Sequence, residues 1–176
     1  NIDNFGTIEE GSFSGEILSG GIIAGGMFSS TSSVTSNDEG TTTGGGTISN
    51  GTFKGLVTNG DSDPDYNAAA ITGGTFEGTV TNYDVIEDGA FSFRVTNKEI
   101  GTISGGTFLS DVTNRGAIGG GFFALPIICE GGTVSASTFP VHTALTGLSI
   151  AETANAELVA SFEKDSEETN CFMLKA

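Results

Sequence analysis

At 176 residues the chain is long enough for one ordinary domain and too short for two comfortable ones. Its 22 acidic residues against 6 basic ones give a formal net charge of −16, which leaves no basic stripe for phosphates and argues against nucleic acid or an anionic membrane surface as partner. No apolar run is long enough to span a bilayer, and 13 Phe at regular places among 28 Gly argue against a flexible linker.

Residues 1–6 read as a partial coil, with Phe5 expected to shield the layer behind it. A fixed grammar then begins. Ile8 is followed five residues later by Phe13, and the same step joins Ile23 to Phe28, Ile48 to Phe53, Ile71 to Phe76 and Ile86 to Phe91. It continues from Ile103 to Phe108 and Ile118 to Phe123, and in degenerate form from Val134 to Phe139. Four residues past the Phe stands another aliphatic: Ile17, Val57, Val80, Val95, Val112 and Ile127. The second unit slips, with Val34 six residues after Phe28, and the eighth lands on Thr143.

The leg back to the next Ile is six residues at its shortest, so the minimal repeat is 15 residues. It lengthens to eight residues from Val95 to Ile103, and to fourteen from Val34 to Ile48 and from Val57 to Ile71. All large insertions thus fall at one corner, as expected of a stacked repeat with one free rim. Fifteen residues are too few for a helix pair, and each interior Gly would cost a helix about 1 kcal/mol. The β-branched and aromatic residues among Thr and Ser are strand composition. The expected fold is all-β: a single-stranded parallel β-helix, or triangular β-solenoid, of about eight coils, with one inward residue per side and glycines at the bends. A right-handed sense follows from the usual hand of parallel crossover connections. The repeat domain spans 1–139, and 140–176 is expected to be a C-terminal cap or the start of a following β domain.

Two smaller columns accompany the core. Thr58-Asn59, Thr81-Asn82, Thr96-Asn97 and Thr113-Asn114 align just past the Val, and an inward Asn there can bond the turns on either side. The residues before each Phe form an outward column rich in Thr but broken by Met27, Ala90 and Phe122, which counts against an ice-binding face.

The long corners at 35–47 and 58–70 are polar excursions. Asp61, Asp63 and Asp65 alternate like the first ligands of a calcium loop, but the central Gly and distal Glu are lacking and Pro64 intrudes, so a solvated acidic turn is the stronger reading. Tyr66 and Tyr83 are candidate glycan contacts. After Phe139 the grammar fails. Ile150, Ala154, Leu158 and Phe162 recur at helical spacing behind a capping box at Ser149 and Glu152, which predicts a short helix within 149–164. Cys129 and Cys171 either pair across this end or stay as two thiols.

No catalytic constellation is expected, and no cofactor. His142 is the only histidine, Gly44-Gly45-Gly46 has no lysine behind it, and the pairs Glu9-Glu10 and Glu87-Asp88 lie far apart along the stack. Arg94, Lys98 and Arg115 are too scattered to make a polysaccharide lyase more than a lesser reading.

The stretches ITGGTFEGTVTN and GTISGGTF resemble the ISGGTFxGxVTNxG repeats of large secreted or wall-bound surface proteins of gut-type Gram-positive bacteria, described as adhesins. The likeness covers roughly residues 6–139. It implies export, an extracellular or cell-surface location, a wall anchor elsewhere in a longer protein, and no cofactor. The expected function is a non-enzymatic structural or adhesive repeat module, a stalk or adhesin fragment. Its partners would be neighbouring repeats and a host or bacterial surface glycan or protein. The alternative is a glycan-binding module using the loops at 35–47 and 58–70.

Overall fold

A computed structural model of the chain describes residues 1–36, 45–63, 68–125, 127–134, 136–137 and 158–159. Within them the chain winds as a three-sided parallel β-helix. One eight-stranded sheet carries the Ile17–Val34–Val57 column, a second eight-stranded sheet the Ile8–Ile23–Ile48 column, and a seven-stranded sheet the Phe column. Every pairing in these three sheets is parallel and joins equivalent residues of successive coils, so Ile71 sits between Ile48 and Ile86, and Phe76 between Phe53 and Phe91.

The core is these columns. From Ile17 onward each of their residues is at most 2% exposed; at the N-terminal end Ile8 and Phe13 are partly covered and Ile2 is 38% exposed. The seven Phe rings from Phe13 to Phe123 stack with centroids 4.5–5.0 Å apart. Strand pairing sets that spacing, because coils about 4.8 Å apart leave aligned rings one place to go.

Glycine serves two different needs. At the Ile-to-Phe corner Gly11, Gly26, Gly51, Gly74, Gly89, Gly106 and Gly121 all have φ between 103° and 137°, a region closed to most side chains. At the Val-to-Ile corner the need is steric: a Cβ on Gly116 would collide with the carbonyl oxygen of Gly101 in the coil before it.

Irregularities in the spacing are absorbed in corners. The two extra residues after Phe28 form a turn in which the Ser32 N–H and hydroxyl both donate to Ser29 O, at 2.9 and 2.7 Å. Register is then regained, with Val34 opposite Ile17. The partial N-terminal coil is present, since Ile2–Asn4 pairs with Glu16–Ser19. Phe5, however, does not shield the next layer. It is 76% exposed, because Ile2, opposite Ile17, already holds the column position and Phe5 follows the inward Asn4.

At the other end, Leu158–Val159, inside the segment predicted to be helical, form a strand antiparallel to Ala136–Ser137. A ladder partner supplied from 21 to 23 residues upstream outweighs the local helical spacing at those two positions. Phe139, Cys171 and the rest of 149–164 lie outside the described residues, as do His142 and the side chain of Cys129.

Candidate functional site

The Val-to-Ile corner collects most of the chemistry. Just before it, the inward residues one strand step past the Val column form a buried polar line: Asn4, Ser19, Ser36, Asn59, Asn82, Asn97 and Asn114. Asn59 Nδ2 donates to Asn82 Oδ1, Asn82 to Asn97 and Asn97 to Asn114, each at 2.8 Å. The same amides donate to turn carbonyls, for example Asn97 Nδ2 to Gly101 O at 3.1 Å and Asn114 Nδ2 to Gly116 O at 3.2 Å. The amides therefore fix the corners where the glycines bend them. Their role is structural, as the spacing suggested.

The residue after each Asn must face outward. Tyr83, Lys98, Arg115 and Glu130 follow one another up this ridge, tied by backbone bonds such as Lys98 N–H to Asn82 O at 2.8 Å. Lys98 Nζ lies 5.9 Å from the centre of the half-buried Tyr83 ring, a cation over an aromatic face. Arg115 bonds Glu130 at 2.6 Å and reaches Glu99 at 3.4 Å. Its charge is thus answered within the ridge. Tyr66, the other candidate stacking residue, lies outside the described residues.

Of the calcium candidates, Asp61 and Asp63 belong to a local turn and Asp65 is outside the described residues. Asp61 Oδ1 accepts the N–H of Asp63 at 2.9 Å and the Ser62 hydroxyl at 3.3 Å. That is an Asx turn. Among the described residues no group of three or more His, Cys, Asp or Glu is placed to hold a metal ion.

Asp84 is the buried acid of this corner and was not singled out from the sequence. It is 8% exposed and stands where Gly21, Gly101 and Gly116 stand in other coils. Gly60 in the coil before gives its side chain room, since a Cβ there would lie 2.8 Å from Asp84 Cβ, and its Oδ2 accepts the N–H of the buried Ala69 at 2.6 Å. Burial raises the Asp84 carboxyl above the ordinary carboxylate value, and the bond from Ala69 partly offsets this.

Two outward features complete the surface. Thr35, Thr58, Thr81, Thr96 and Thr113 form an unbroken rank over five coils, every one half-buried. The rank is one residue wide, since Leu56, Thr79, Arg94 and Asp111 flank it on one side and Gly60, Tyr83, Lys98 and Arg115 on the other. At the Phe-to-Val corner of the later coils, Phe93, Leu109 and Leu125 are 54%, 52% and 42% exposed. Among the described residues no helix is long and apolar enough to cross a membrane. No known protein family, curated protein or solved structure matches this chain.

Proposed function

We propose that the chain is a non-enzymatic structural or adhesive module of an extracellular, cell-surface protein, a section of stalk that can also present a binding face. The observation that supports it is the unchanging register of coil on coil, with inward positions given over to Ile, Phe, Val and Asn. Such a stack places its variable residues on the rims at regular height, which suits projection and display. The resemblance of the ISGGTF and VTN stretches to wall-bound surface repeats supports the same reading, with neighbouring repeats and a surface glycan or protein as partners.

Immobilised chain probed with a panel of host and bacterial surface glycans, and with whole cells, tests it. Uptake of cells or glycans would favour an adhesive role. Failure to bind either would favour a stalk. Turnover of a uronic-acid polymer by the purified chain would sink both.

Glycan binding has one specific observation in its favour, the Tyr83 ring beside Lys98 at the edge of the 58–70 excursion. Exchange Tyr83→Ala should then abolish retention of any glycan found, while leaving the melting temperature almost unchanged.

A further inference from the structure

The buried amide line has a direction. In Asn59, Asn82, Asn97 and Asn114 each Nδ2 points toward the C-terminal end and each Oδ1 toward the N-terminal end, so four amide dipoles are aligned. Aligned hydrogen bonds polarise one another, which makes the first oxygen of the series a stronger acceptor than an isolated amide. That oxygen is Asn59 Oδ1. It is fully buried, and no group among the described residues bonds it.

Directly opposite Asn59 in the preceding coil stands Ser36, also fully buried, and its Oγ is likewise bonded to nothing among the described residues. An Asn at this height would close the step, as it does at the next three. The serine side chain is one bond shorter, its Oγ standing where an asparagine has Cγ. Ser19, the next residue down the line, bonds elsewhere: its Oγ accepts from Asn4 Nδ2 at 2.9 Å and donates to Gly21 O at 3.5 Å. Beside Ser36 the corner is tight, because a Cβ on Gly46 would collide with both Ser19 O and Ser36 Oγ.

Two buried oxygens, in one column, in adjacent coils, each lacking a partner, rarely persist without one in a native fold. We propose that Ser36 and Asn59 hold one buried water molecule, which accepts the Ser36 hydroxyl proton and donates to Asn59 Oδ1. Water suits the place better than a metal ion. The column brings two neutral oxygens together, whereas a calcium or magnesium ion takes six or more ligands with carboxylates among them.

A crystal structure of the unmodified chain at a resolution that shows waters is the direct test. A single peak about 2.6–3.2 Å from both Ser36 Oγ and Asn59 Oδ1 is the expected result. No peak, a direct bond between the two side chains, or a peak with six short oxygen contacts would each overturn it. Two exchanges read the same point in solution. Ser36→Asn places an amide in the water's position and should raise Tm by about 2–4 °C, with loss of the peak. Ser36→Ala removes one of the water's two partners and should lower Tm. A Tm unmoved by both exchanges would refute the bridge, and if Ser36→Asn does not fold, the density in the unmodified chain decides.

Discussion

Thr75 and Phe76 are neighbours in the chain with opposite fates: Thr75 faces solvent, and Phe76 is fully buried between Phe53 and Phe91, with ring centroids 4.9 and 4.7 Å away. Phe76→Ala should cost about 3–5 kcal/mol, since the hydrogen-bonded coils on either side cannot close over the hole. Thr75→Ala should cost below about 0.5 kcal/mol. Chemical denaturation of the two variants checks the contrast, and comparable losses would contradict the inward assignment. Asp84 makes a second residue-level case. Its carboxyl is raised above the ordinary 3.8, so the folded state holds the proton more tightly than the unfolded chain does. Its contribution to stability is therefore fully present below pH 3.8 and is lost as the pH rises through the folded value. At neutral pH the ionised group is a net cost. Asp84→Asn keeps an oxygen for the Ala69 N–H and removes the charge, so it should melt higher than the parent at pH 7, with the difference closing below about pH 4. A difference that grows on acidification would contradict this.

At the scale of the element, the corner excursion at 58–70 is the feature most open to change. Deleting residues 61–68 leaves six residues from Val57 to Ile71, the shortest leg used elsewhere. The inward Asn59 and the paired strands are untouched, and closure entropy changes slowly with loop length, so the variant should melt cooperatively within a few degrees of the parent. Loss of cooperativity would mean that the excursion packs on the stack beyond the buried Ala69. The same corner shows what sequence makes legible. The columns could be read because an inward residue recurs at a fixed step, whatever the corner between does. Apolar character alone does not name a face: the place of Phe5 after Asn4, equivalent to that of Tyr83 after Asn82, turns it outward. Thr35 was missed from the threonine rank because Ser, not Asn, follows it. Asp84 carried no motif, since its burial depends on Gly60 and Ala69 in the coil before. Leu158–Val159 pair with residues far away in the chain, which local spacing does not encode. Neither the acidic turn nor the tyrosines repeat, so candidate sites on the rim leave no periodic trace.

At the scale of the whole molecule, each coil touches mainly the one before and the one after, so the chain should behave as a one-dimensional stack on the order of 40 Å long. That makes a strong demand on internal deletions. Removing residues 77–91 takes out one complete 15-residue coil and joins Phe76 to Ser92. Val95 then falls on Val57, Asn97 on Asn59 and Ile103 on Ile71, and each new neighbour is the type it replaces. The variant should keep its β circular dichroism, melt cooperatively, and be shorter in solution scattering by about 4.8 Å. Removing only residues 77–84 deletes fewer atoms yet should do far more damage. It brings Val85 directly after Phe76, so the Val side of the triangle is lost and every later inward residue meets the wrong column. If fold depended mainly on how much core is retained, the smaller deletion would be the milder one. A β-solenoid held by register requires the reverse order, and a smaller deletion that melts like the parent would disprove it.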